Sequence, residues 1–327
     1  MSITNKEKRV ITVALANHRP ETVQPAAELM TRHDAIFLEE PPSRELEQML
    51  TGDISVNDYL QSIDTEYPEF SRQMALQLRK LHAAGKVIIA VEPFLEHLLA
   101  IHEFFIEGGT PADLRPDTDR FRVYEAEHKA TAALLDFYRA AIEAPFDETV
   151  SAVKRFARQD AGRFVLRDEM RAEALAKMAP EHECSYVEAG QMHYYLWHRL
   201  NLLVGDKIAV RPHFLMAPVV RNLDSERHLY GPGDILTLLY IFHPSFQGPL
   251  EDLLAARSLI YNKLIEKNEM PVSVDTFPHT RNELRTSATV KKLSMADCQS
   301  LFSILRRTDT KHSVKLVNSY LGHKGIS

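Results

Sequence analysis

Cysteine is scarce in this chain: only Cys184 and Cys298 occur in 327 residues. They lie far apart and form no C-x-x-C pair, which excludes a disulfide scaffold and a zinc-finger type of site and predicts two free thiols in a reducing compartment. Positive charge is also in deficit. The 39 Lys and Arg against 45 Asp and Glu give a formal net charge of -6, the wrong sign for the field that duplex nucleic acid requires, so no nucleic-acid partner is expected. Long apolar runs are lacking as well. The longest, ILTLLYIF at 235–242, falls far short of the roughly 20 residues of a membrane helix, so no membrane span is expected. Glycine numbers only 12, which argues against a fibrous or low-complexity chain. The first residues, MSITNKEKRVITVAL, offer no small-residue cleavage site after their short apolar run, so they do not read as a secretory signal and a cytoplasmic location is the expectation.

What is present is an alternation of short apolar runs with amphipathic stretches. The β-branched run 10–16 ends at Asn17-His18-Arg19-Pro20 and is followed by Val23, Ala26, Ala27 and Met30 at helical spacing. The run 35–38 ends in Glu39-Glu40-Pro41-Pro42, and 87–91 ends at Glu92-Pro93, as buried strands ending in turns would. Helical pattern fills 43–84 with breaks near Gly52 and Pro68, then 94–106, then about 120–178 with breaks expected at Pro145 and Gly162. Further strands are predicted at 185–189 and 207–214, separated by a helix at 194–203. The fold class is α/β: a central, largely parallel or mixed sheet flanked by helices. The expected organisation is an α/β core over 1–214 with a helical insertion at about 94–180, and a mostly helical C-terminal extension over 215–327.

In open α/β sheets ligands bind outside the carboxyl ends of the strands, and three strand ends here carry ionisable groups. His18 follows the first, Glu39 and Glu40 end the second, and His193 follows a later strand through Gly190-Gln191-Met192. Two imidazoles and a carboxylate suit either a divalent metal or acid/base work. Each residue also has an ordinary reading: a histidine after a strand is more often a turn or capping residue than a ligand, and Arg44 at a helix start is commonly an exposed residue. Strand alternation sends Glu39 and Glu40 to opposite faces, so they are not a dyad. His97 and His102 lie five apart and no H-E-x-x-H occurs, which leaves no helical metal pair. Tyr194, Tyr195 and Trp197 fit the core side of a helix better than a ligand box.

The order of these pieces resembles the TraB/Tiki superfamily, which is similar to the erythromycin esterase and ChaN-type haem-binding folds. The strand leading to His18 resembles that family's first G-x-x-H segment, with Leu15 standing where the family has glycine. AIFLEEPPSREL resembles its strand with an acidic and a basic position, here Glu39 and Arg44. VIIAVEP, with Glu92, resembles its third strand, LRDEMRAEALAKM its Arg-Asp helix with Arg167 and Asp168, and YVEAGQMHYYL its second G-x-x-H, with His193. The resemblance implies a hydrolase acting on a peptide or ester bond of a peptide or small-molecule substrate. It further implies that His18, Glu39 and His193 bind a divalent ion such as Mn or Co, or that one histidine acts as general base, while Arg44 or Arg167 stabilises developing negative charge. The competing expectation is a binding protein without turnover for haem, a peptide or a signalling molecule, with His18 or Tyr194 as a haem ligand.

Overall fold

A computed structural model describes residues 9–224, 230–271 and 276–325. In chain order the elements are β1 (Val10–Ala16), α1 (Pro20–Met30), β2 (Ala35–Leu38), α2 (Arg44–Thr51), α3 (Val56–Ser62), α4 (Pro68–Ala83), β3 (Val87–Ala90), α5 (Pro93–Ile106), α6 (Asp119–Glu143), α7 (Phe146–Met178), β4 (Cys184–Gly190), α8 (Tyr194–Val204) and β5 (Ala209–Phe214). They are followed by α9 (Ala217–Leu223), α10 (Pro232–Phe242), α11 (Pro249–Leu264), α12 (Pro278–Lys291), α13 (Met295–Leu305) and α14 (Thr310–His323). Each strand falls where an apolar run predicted one, and neither cysteine is in a disulfide. No described helix is long and apolar enough to cross a membrane.

The described residues divide into two compact units, 9–123 with 165–217, and 124–164 with 218–325. The insertion expected at 94–180 is thus split, its middle belonging with the C-terminal helices. Helix length accounts for this. The 33 residues of α7 extend about 50 Å, whereas a seven-residue strand such as β1 extends only about 23 Å. The stretch of α7 with Ala172 and Leu175 packs on the sheet, and 146–164 belong to the second unit.

The first unit holds a five-stranded sheet in the order β3-β2-β4-β1-β5, parallel throughout. Every strand thus delivers its carboxyl end to the same edge. β4 enters between β1 and β2 although it lies about 150 residues later. Ala16 pairs in register with Gly190, and Phe37 with Val187, so the loops after β1, β2 and β4 emerge side by side. Both faces are covered, as an all-parallel sheet requires. Ala14, Ala16, Ile36, Leu38 and Tyr186 pack with Val23, Met49, Tyr59, Phe70 and Leu78 of α1 to α4. Ile11, Val13, Leu15, Phe37, Val187 and Ala189 pack with Ala172 and Leu175 of α7 and Leu196 and Leu200 of α8. The bulk of Leu15 is therefore spent in this core.

The second unit is helical, with no strand among its described residues. Leu254, Ala255, Leu259 and Ile260 bury one side of α11. At Glu251, Oε1 accepts the Tyr240 hydroxyl at 2.5 Å and Arg158 Nη2 at 2.5 Å. The Arg306 guanidinium closes the end of α6 by donating to the carbonyls of Ala140, Ala141 and Ala144 at 3.0, 2.8 and 2.6 Å.

One local expectation is corrected. Pro145 separates α6 from α7, but Gly162 breaks nothing, because α7 runs through it. A helical glycine costs only about 1 kcal/mol relative to alanine, a penalty that flanking helical residues override. A Cβ at Gly162 meets nothing within 4 Å. Gly162→Ala should therefore raise the unfolding free energy by about 0.5–1 kcal/mol, measured by denaturant titration; a lower midpoint would contradict the open environment at this site.

Candidate functional site

Alternation along β2 continues past its end. Glu39 follows Phe37 to the α7 and α8 face, while Glu40 follows Leu38 to the face of α1 to α4. Glu39 is 5% exposed and is the centre of a buried ionic cluster. Its Oε1 accepts from Arg167 Nη2 at 2.9 Å and faces His193 Nε2 at 3.0 Å. Its Oε2 accepts the Gly190 N–H at 2.5 Å and lies 3.9 Å from Arg171 Nη1 and 4.0 Å from His18 Nε2. Gly190 makes this approach feasible, since a Cβ there would stand 3.2 Å from His193 Cδ2 and 3.6 Å from Glu39 Oε2.

Two further carboxyl groups complete the cluster. Asp168 is fully buried; its Oδ1 faces His193 Nδ1 at 2.5 Å and its Oδ2 accepts the Leu196 N–H at 2.9 Å. Glu92, also fully buried, accepts Arg167 Nη2 at 3.1 Å and lies 3.7 Å from Arg171 Nε, which donates to the Val91 carbonyl at 2.8 Å. The cluster balances the positive side chains Arg167, Arg171 and His193 against the carboxyl groups of Glu39, Glu92 and Asp168.

Burial alone would raise the Glu39 carboxyl, but the charges of His193, Arg167 and Arg171 outweigh it and hold this group well below the usual carboxylate range. Burial alone would lower the His193 imidazole, yet Asp168 and Glu39 together push it up to about 9. At neutral pH His193 is therefore an imidazolium with a proton for each flanking carboxylate. On the opposite face Glu40 is pushed up to about 7 by burial and by the Glu188 charge, against a hydrogen bond from the Tyr59 hydroxyl at 2.9 Å. Glu188 Oε2 accepts the Glu39 N–H at 3.1 Å, linking the two faces.

His18 sits in the turn after β1, its side chain 39% exposed, with its ring stacked on Phe70 at 5.1 Å and 12°. Its Nε2 is buried and has no hydrogen-bond partner among the described residues, as is true of Glu92 Oε1, Arg167 Nε and both terminal nitrogens of Arg171.

His18, Glu39, Arg167 and His193 are thus brought together, whereas Arg44 is not. Arg44 is exposed at the start of α2 and makes no ion pair among the described residues. The apolar face of α2 is Leu46, Met49 and Leu50, and Arg44 projects roughly 200° from Leu46 around the helix. Arg171 stands in the cluster instead. It lies four residues after Arg167 on α7, a spacing that places the two side chains on one helix face and was readable in LRDEMR. Tyr194 packs against Trp197 and Phe214, at 4.9 and 5.9 Å between ring centroids.

The residues do not fit the divalent ion implied by the resemblance. A metal needs lone pairs turned to one point, but both Glu39 oxygens already accept N–H groups, and both ring nitrogens of His193 face carboxylate oxygens. Among the described residues no group of three or more His, Cys, Asp or Glu is placed to hold a metal ion. As the chain folds, His18, Glu39 and His193 are parts of one ionic cluster.

Fold and site together define a parallel α/β protein with a charge-balanced cluster buried at the carboxyl ends of its strands. No family model matches the chain, and no solved structure matches it. The chain is 31% identical over 293 residues, covering 89% of its own length and 97% of the relative's, to a protein of the archaeon Archaeoglobus fulgidus described as an uncharacterized protein. It belongs to the same family as that archaeal protein.

The charge balance predicts a pH dependence. Because the folded His193 titrates near 9 rather than 6.5, its stabilising effect is fully present below pH 6.5 and is lost as pH rises through 9. The loss should be on the order of 3 kcal/mol. Denaturant midpoints measured across this range should fall for the wild type and flatten for His193→Gln. Arg44→Ala, by contrast, should leave stability within about 0.5 kcal/mol.

Proposed function

We propose that the chain is a metal-independent hydrolase of ester or peptide-type amide bonds, built on a TraB/Tiki-like fold. The observation that carries this reading is the His18 Nε2 atom, buried without a hydrogen-bond partner and 4.0 Å from the Glu39 carboxylate. In its neutral form His18 has a lone pair to take a proton from water, and its partly exposed ring lies beside the strand ends, where substrates of open parallel sheets bind.

Arg167 supplies the second requirement. Its Nη2 is tied to Glu39 and Glu92 while its side chain stays 22% exposed, so the guanidinium is held in a fixed place at the strand ends. Such a preorganised charge suits the oxyanion that forms when hydroxide adds to a carbonyl. Asp168, His193 and Arg171 hold Glu39 ionised and in place; they act through it and not on the substrate.

The test is a panel of activated esters and short peptides assayed with wild-type protein, His18→Ala and Arg167→Met, with and without a chelator. The expected result is hydrolysis that resists chelation and falls by on the order of a hundredfold or more in each variant. Activity abolished by the chelator and restored by Mn or Co would overturn the metal-independent reading. Activity unchanged in His18→Ala would remove the proposed base.

A further inference from the structure

A histidine that acts as general base is normally oriented by a hydrogen bond to its second ring nitrogen. His193 has such a partner in Asp168 at 2.5 Å. His18 differs: among the described residues no carboxylate stands within hydrogen-bond reach of either ring nitrogen, the Glu39 oxygen facing its Nε2 being 4.0 Å away. The residue sits between β1 and α1, where no ladder or helix bond fixes its side chain. The contact that defines its ring plane is the parallel stack on Phe70, with centroids 5.1 Å apart and planes 12° from coincidence.

Phe70 is well suited to this task. It lies in the first turn of α4, is 8% exposed and is wedged into the core with Met49, Met74 and Leu78, so its ring is a rigid surface. The same turn holds a second such contact. Tyr67, immediately before α4, carries the Arg19 guanidinium 4.0 Å from its ring centroid. Two consecutive residues of the β1–α1 turn are thereby seated on two aromatic rings of one helix start. The arrangement locks the turn at two points, and it aims the His18 Nε2 edge at Glu39 without any hydrogen bond.

We propose that Phe70 is the positioning residue for His18, with ring stacking replacing the hydrogen-bonded carboxylate that commonly orients a histidine base. This rests on the reading of His18 as the base. Phe70 takes no part in the chemistry; it restricts the imidazole to one plane, with Nε2 turned to the strand ends beside Glu39. A flat contact of this kind fixes the plane without engaging either ring nitrogen, which suits a base that must shed its proton each turnover.

The experiment uses the full chain with isotope-labelled histidine, the His18 ring resonances being assigned by their loss in His18→Gln. In Phe70→Leu, which retains an apolar group of similar size, the His18 resonances should move downfield as the ring current is lost. On the best ester of the panel kcat should fall roughly tenfold to a hundredfold with KM changed by less than about twofold. Phe70→Tyr and Phe70→Trp should restore both. Unmoved His18 resonances in Phe70→Leu would overturn the proposal, as would an unchanged kcat. A loss of kcat equal in the Leu, Tyr and Trp variants and tracking their thermal midpoints would overturn it too, since packing alone would then be at issue. If the wild type hydrolyses nothing while the resonances shift as described, the hydrolase reading falls and the seating of His18 by Phe70 stands.

Discussion

The Glu39 carboxylate is the interaction on which the rest of this site depends. It is buried and receives Arg167, His193 and the Gly190 N–H on its two oxygens, with Arg171 close by. Those partners come from α7, from the loop after β4 and from the end of β4 itself, so one carboxylate ties together segments up to about 150 residues apart. A single buried charge of this kind would be costly; a balanced set is tolerated because each charge finds a counter-charge at short range. Arrays like this add little net stability over an apolar core of the same volume, and their usual value lies in fixing charge where chemistry needs it.

The parallel sheet makes the cluster feasible. All five carboxyl ends share one edge, so polar residues that follow apolar strands are concentrated there without disturbing the core beneath. Alternation then sorts them. Glu39 goes to the side of α7 and α8, where guanidiniums and an imidazolium keep it ionised, while Glu40 goes to the side of α1 to α4, where Tyr59 and Glu188 surround it and its titration moves up to about 7. Two adjacent identical residues thus acquire opposite acid strengths through environment alone.

Several of these features were readable before any fold was known. The β-branched runs located the strands, Pro145 ended α6, and the period of two along Ala35–Leu38 placed Glu39 and Glu40 on opposite faces. The failures share one cause, that a local pattern was asked to report a distant environment. Gly162 looked like a break because propensity ignores what flanks it. Arg44 stands at the basic position of the motif that AIFLEEPPSREL resembles, yet α2 turns it to solvent, whereas Arg171, 132 residues from Glu39, has no local signal that ties it to that carboxylate. Phe70 drew no attention because an aromatic at the start of an amphipathic helix reads as core, which it also is.

The sequence by itself determined the elements and which residues stand at strand ends, because hydrophobic period and turn chemistry act over a few neighbours. Tertiary structure alone decided that β4 enters between β1 and β2, and with it that His193 comes to lie beside Glu39 as a cation. Protonation states of buried groups are set by burial and by charges a few ångströms away, and those distances exist only once the chain has folded.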